Sequence, residues 1–301
     1  MTRVAIVTDS TASLPPELLG DGDGVTVVPL HVVVDGEDHH DDGVSITRGD
    51  LAERMRDGAR VTTSQPASRE LARAMRDAVE RGAQAVVAVH LSGELSGTAA
   101  QSRVAAAEVT AATGVPVHVV DTRTTAGGLG LAVVAAAEAA AGGDVHRVLA
   151  VAREVGARSR VLFMVPDLQH LAHGGRMSAA RASIGAALGV RPILTMVSGR
   201  IVVAELVRGA VRARRQLVEL AARAAGGPGA AVPRGDGAPV RLVVHHFDAQ
   251  DAAAELATAL RERLQETGAM IDRLVIGEVT AVVGAHTGPG VVGVALAPLP
   301  R

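Results

Sequence analysis

The sequence predicts an α/β protein of two domains: an N-terminal parallel sheet flanked by helices over residues 1–160, and a C-terminal α+β domain with a mixed sheet over 161–301. Three observations predict it. Short β-branched runs alternate with Ala-rich helical stretches in the first half, and continuous apolar strands joined by helices build a parallel sheet covered on both faces. After about residue 160 the rhythm changes to closely spaced strand candidates with a hairpin signal between two of them. A length of 301 residues also suits one large or two medium domains.

In chain order, Val4-Ala5-Ile6-Val7-Thr8 reads as the first strand, and Val25 to Val34 as a second, broken by Pro29. Ala85 to Leu91 and Val117 to Val120 follow, with helical patterns near 67–81 and 97–112. Ligands of such sheets bind at the carboxyl ends of the strands, where Asp9-Ser10-Thr11, Ser92-Gly93 and Asp121-Thr122 all fall. The second half offers strands at Val161 to Val165, Ile193 to Val197, Ile201 to Leu206, Arg241 to His246, Leu274 to Val279 and Val291 to Leu296. Ser198-Gly199-Arg200 reads as a tight hairpin turn, and Gly226 to Pro239 (226–239) as a flexible surface loop.

Composition removes whole classes of function. A hydrophobic share of 48% with 21% charged residues fits a globular chain with ample core, and a formal net charge of -2 gives no basic footprint for nucleic acid. Long apolar runs are interrupted by Gly, Asp or Arg, so no membrane span is expected. Met1-Thr2-Arg3 leads straight into the first strand without signal-peptide architecture, which makes the cytoplasm the expected location. The chain has no Cys, Trp, Tyr or Lys. Thiolate catalysis, zinc-thiolate sites, Walker A phosphate binding and Schiff-base chemistry therefore drop out.

Two hydroxyl-rich segments remain, Thr62-Thr63-Ser64-Gln65-Pro66-Ala67-Ser68 and Leu91-Ser92-Gly93-Glu94-Leu95-Ser96-Gly97-Thr98. Each reads as a loop at the start of a helix, where free N–H groups and the helix dipole favour a small anion. Ser and Thr are equally the ordinary N-cap residues, so one segment alone means capping. Asp38-His39-His40-Asp41-Asp42 invites a metal reading but has no helical ligand spacing, and is read as a solvated acidic loop with no metal site. His245-His246 is read as core packing or a pocket edge. Gly93-Glu94-Leu95-Ser96-Gly97 is not a nucleophile elbow, because its serine stands one place late. Gly174-Gly175-Arg176 projects an arginine from a tight turn, and Gly284 to Gly290 is a glycine loop carrying His286. Arg208 is one of five arginines in 208–223, a solvated basic face or a docking surface for an anion.

These pieces in this order resemble the DegV family of bacterial fatty-acid-binding proteins. The resemblance rests on Thr8-Asp9-Ser10-Thr11, Thr62-Thr63-Ser64-Gln65-Pro66, Leu95-Ser96-Gly97-Thr98, Asp121-Thr122 with Gly127-Gly128-Leu129-Gly130, Gly174-Gly175-Arg176, Arg191-Pro192-Ile193-Leu194 and His286-Thr287-Gly288-Pro289-Gly290. It implies two α/β domains holding a long-chain fatty acid as ligand, with no cofactor and no catalytic residue of their own. It also places the carboxylate at Thr62 and in the Ser92-Gly93 region, helped by Ser96. Gly93 stands where many relatives carry a second serine, and Ala99 where a tyrosine is common. For some members the resemblance implies a separate ATP-binding fatty-acid kinase subunit as partner, with Arg176, Arg208 and His286 in the transfer. Burying about fourteen methylenes at ~0.8 kcal/mol each gives on the order of 11 kcal/mol before ordering costs. The small aliphatic run Ile184-Gly185-Ala186-Ala187-Leu188 is a candidate tunnel wall. The competing reading is an α/β enzyme acting on a small phosphorylated or carboxylated substrate with His286 as acid/base.

Overall fold

The structure, a computed structural model, describes residues 3–19, 24–177, 189–227 and 238–300. Strands β1 (Val4–Asp9), β2 (Val25–Val28), β6 (Ala85–His90) and β7 (Val117–Asp121) form an all-parallel sheet in the order β2-β1-β6-β7. Every residue of β6 is buried, which explains its unbroken apolar run: helices cover the sheet on both sides. On one face, α3 (Ser68–Glu80) and α4 (Thr98–Thr113) pack Leu71, Met75, Ala105 and Val109 on Val7, Val86 and Ala88. On the other, α5 (Gly127–Ala140) and α6 (Val145–Arg158) pack Leu129, Val133, Val148 and Ala152 on Ile6, Val87 and Val89.

Strand β8 (Arg160–Met164) opens a second, mixed sheet with β9 (Val190–Val197), β10 (Arg200–Arg208), β11 (Val240–His246), β12 (Ile271–Glu278) and β13 (Val292–Pro298), in the order β10-β9-β8-β13-β11-β12. Only β11 and β12 run parallel. Val197 pairs with Arg200, so Ser198 and Gly199 are a two-residue turn, and both have positive φ, 50° and 86°. Helices α8 (Ala210–Ala225) and α9 (Gln250–Thr267) cover one face, burying Leu217, Ala221, Leu256 and Leu260 on Leu242, Val244, Val294 and Leu296. Helix α5 is the common layer. Its Leu131, Ala132 and Ala135 pack with Val243 and Ala297 of the mixed sheet while Leu129 and Val133 face the parallel one. A helix buried on two sides must be apolar all round, and Gly-Gly-Leu-Gly-Leu-Ala-Val-Val-Ala-Ala-Ala is.

His286, read from sequence on a glycine loop from Gly284 to Gly290, instead stands in the last turn of α10 (Ala281–Thr287), because the chain stays helical through Thr287 and only Gly288 ends it. The sequence expectation differs from the structure at two further places. Val25 to Val34 is not one strand: after Pro29 the chain leaves the parallel sheet and enters a small antiparallel one. That sheet has the order β4-β3-β5, from β3 (His31–Val34), β4 (Glu37–His40) and β5 (Val61–Ser64). The first hydroxyl segment therefore begins as an edge strand, Thr62 to Ser64 belonging to β5, and only Gln65 to Ala67 form the loop that leads into α3. Second, Asp41 is buried rather than solvated. Its Oδ1 accepts from Ala281 N at 2.8 Å, capping α10 (Ala281–Thr287), and burial pushes its pKa up against the hydrogen bonds from Ser10, Thr280, Val282 and Ala281. Ile184 to Leu188 and most of the 226–239 loop lie outside the described residues.

Candidate functional site

A cavity of about 400 Å³ is lined by residues of the small antiparallel sheet, the mixed sheet and α10, and by the segments that leave the carboxyl ends of β1, β6 and β7, within the roughly 300–1,000 Å³ of small-molecule sites. Most of its wall is apolar: Leu30, Leu95, Val161, Phe163, Leu171, Ile201, Val279, Val282, Val291 and Ala295. Its polar wall is a connected set. Strand alternation turns Thr63 inward, and its Oγ1 meets His286 Nε2 at 2.8 Å. The His286 ring lies against Gly174, where an added Cβ would stand 2.8 Å from Cε1 and closer still to Nδ1. Arg176 bonds back to the Gly174 carbonyl and, through Nε, to Leu95 O at 3.2 Å, next to Ser96. Gln65 packs on Gly97, where a Cβ would overlap its amide, so the two hydroxyl segments approach as closely as glycine permits.

The electrostatics favour an anion. Burial lowers the Arg176 pKa, and no acidic side chain among the described residues pairs with its guanidinium. His286 is pushed down to about 4, first by burial and then by Arg176, so its imidazole is neutral at pH 7. His245 also lines the cavity and is pushed down to about 4, chiefly by burial. Its Nδ1 donates to Gly277 O at 2.9 Å, and its Nε2 is buried without a partner among the described residues.

Of the residues singled out from sequence, the structure brings Ser96, Arg176 and His286 to the cavity wall. Thr62 is turned out to solvent by the same alternation that turns Thr63 in, so the cavity takes Thr63, Ser64 and Gln65 instead. Ser92 is fully buried and used internally: its Oγ donates to Gly199 O at 2.8 Å and accepts from Glu94 N at 3.2 Å, docking the β9–β10 turn onto this loop. Gly93 is exposed and gives its N–H to Asp121 Oδ2 at 3.2 Å, so the missing hydroxyl there removes nothing from the cavity wall. Arg208 ends β10 at the sheet edge, exposed and outside the cavity lining. Sequence reasoning missed Thr63 as the inward residue, although the β-branched run Val61-Thr62-Thr63 is itself a strand signal.

One arrangement imitates an enzyme. Ser102 Oγ meets His90 Nε2 at 2.9 Å, and His90 Nδ1 meets Asp9 Oδ2 at 2.9 Å, the contact order of a serine-hydrolase triad. All three side chains are sealed, His90 and Ser102 at 0% exposure, and none lines the cavity. Asp9 also accepts from Leu91 N at 3.1 Å and from Thr11, so the network fastens the carboxyl ends of β1 and β6.

Fold and site together describe an α/β protein with a partly open, largely apolar cavity that carries a cation, hydroxyls and a neutral imidazole along one wall. A family model described as "Uncharacterised protein, DegV family" matches residues 3–299. The chain is 43% identical over 293 residues to a DegV domain-containing protein of Streptomyces coelicolor, covering 97% of each. It therefore belongs to the DegV family. Its fold matches a DegV family protein of Thermus thermophilus, described as fatty acid binding, with a TM-score of 0.85 and 34% identity over 99% of this chain and 100% of that one. It also matches DegV of Bacillus subtilis, described as a fatty acid binding protein, with a TM-score of 0.82 and 28% identity over 99% and 100%. Among the described residues no helix is long and apolar enough to cross a membrane.

Proposed function

We propose that this chain binds one long-chain fatty acid, its tail in the apolar chamber and its carboxylate against Thr63, Ser96 and Arg176, with His286 orienting the Thr63 hydroxyl. The observation that carries the reading is Arg176: a part-buried cation without an acidic partner among the described residues, at the edge of a cavity whose lining is mostly apolar. A carboxylate accepts hydrogen bonds and donates none. With His286 donating through Nε2 to Thr63 Oγ1, the Thr63 hydroxyl proton is free to turn toward a carboxylate oxygen. Ser96 Oγ accepts from Thr98 N at 3.3 Å and meets Thr98 Oγ1 at 2.9 Å; with Thr98 donating in that pair, the Ser96 proton turns to the same ligand. The tail supplies most of the affinity, about 0.8 kcal/mol per buried methylene, and the polar wall selects the head group.

We further propose that the bound carboxylate is offered to a separate ATP-binding kinase subunit, the chain contributing no nucleotide site of its own. The absence of lysine from the sequence supports this division, since no Walker-type phosphate loop can be built. Arg176 and His286 then act at the head group, and Arg208 acts on the partner's side. Organic extraction of the purified protein followed by mass spectrometry tests the first proposal; it predicts a stoichiometric fatty acid. Persistent absence of any acyl chain, with no uptake of added fatty acid, would overturn it. Acyl phosphate formed only when an ATP-binding subunit is added tests the second.

A further inference from the structure

His31 and His40 stand directly opposite one another in the β3–β4 ladder, on one face, with ring centroids 4.7 Å apart. Glu70, in the first turn of α3, reaches the same place, and ligand atoms of the three residues all lie within 4.8 Å of one another. Asp38 stands behind His31. The His31 Nδ1 donates to both oxygens of its carboxylate, at 3.1 and 3.0 Å. In the neutral ring that bond leaves a lone pair on Nε2, which faces Glu70 Oε2 at 3.4 Å. A lone pair and a carboxylate oxygen so placed repel each other unless a proton or a metal cation lies between them. The separation also matches the ligand–ligand edge of a tetrahedron with metal bonds of about 2.1 Å.

We propose that His31, His40 and Glu70 form a zinc-type transition-metal site, with Asp38 orienting His31. A carboxylate donating its charge through a histidine to the metal is the usual second layer of such sites. Two imidazoles and one carboxylate select zinc and its neighbours over magnesium or calcium, and three protein ligands leave a fourth position for water. The bound ion would join β3, β4 and the start of α3, the elements flanking the Thr63-Ser64-Gln65 edge of the cavity. The site is independent of the fatty-acid reading.

Chelator-treated protein titrated with Zn²⁺ against a competing indicator tests it. One saturable equivalent is expected, undisturbed by millimolar Mg²⁺. His40→Ala, at an exposed position, and Glu70→Gln, which keeps an acceptor for the Ala67 N–H now bonded at 2.6 Å, should each weaken it tenfold or more. Asp38→Asn should weaken it by about 10–100-fold. Circular dichroism confirms that each variant is folded. No saturable uptake by the folded wild type would overturn the proposal, with a proton in place of the metal between His31 and Glu70. Uptake unchanged in both His40→Ala and Glu70→Gln would overturn it equally.

Discussion

Gly174→Ala isolates the packing that holds the polar wall together. Gly174 has φ -69° and ψ -8°, helical values that alanine adopts without strain, so the effect of the added methyl is steric. The new Cβ would stand 2.8 Å from His286 Cε1 and nearer to Nδ1, where ordinary contact begins at 3.4 Å. The ring must retreat by about 1 Å, which stretches the 2.8 Å link to Thr63 Oγ1 toward the limit of hydrogen bonding. Losing that bond costs about 0.5–1.5 kcal/mol, and the overpacking adds about 1–3 kcal/mol. Urea unfolding should report a loss of about 2–3 kcal/mol. Calorimetric titration with a fatty acid should show affinity weaker by about tenfold, the equivalent of one hydrogen bond. Gly175→Ala is the control. Gly175 has φ 70° with nothing within 4 Å of an added Cβ, so alanine strains the backbone without touching His286. It should destabilise by about 1 kcal/mol and leave affinity near wild type. Wild-type affinity in Gly174→Ala, or equal losses of affinity in both variants, would refute the reasoning.

Arg176→Gln removes the cation from the head-group wall; a charge-assisted bond of about 1.5–3 kcal/mol predicts a Kd raised by about 10–150-fold for the free acid. The same variant should bind the methyl ester as well as wild type does, because the ester carries no charge to lose. His245 and His286 are both held near 4 in the fold against 6.5 in the open chain, so the unfolded state takes up protons first as pH falls. Their contribution to stability is complete above pH 6.5 and declines from there toward pH 4, by up to about 3 kcal/mol for each; denaturant midpoints across this window should show a slope that His245→Asn reduces. Asp41→Ala should cost about 1–3 kcal/mol by leaving the Ala281 N–H unpaired, whereas Asp41→Asn keeps the acceptor and should cost less, as thermal melts can show.

The parallel sheet was legible because its physics is local: β6 is apolar throughout since both faces are covered, and α3 and α4 begin within a residue or two of where periodicity puts them. The β9–β10 turn was legible for the same reason, Ser198 and Gly199 being suited to positive φ. Thr62 to Ser64 misled because Ser and Thr serve helix caps and β-branched strands alike, and only pairing with His31 to Val34 decides between them. Asp41 looked solvated beside Asp38 and Asp42; its burial depends on a helix end far along the chain. Ser96, Arg176 and His286 could be named, but their meeting depends on Gly174 and Gly97 admitting a ring and an amide from distant segments. Ser92 and Gly93 belong to the loop that brings Ser96 to the cavity, yet their polar groups are occupied by Gly199 and Asp121.

The acyl chamber is tested most directly by titrating delipidated protein with saturated fatty acids of increasing chain length. The account predicts one site per chain, with affinity rising about fourfold per added methylene, ~0.8 kcal/mol each, until the chamber is full. An affinity independent of chain length would contradict it, because the ligand would then be held by its head group alone.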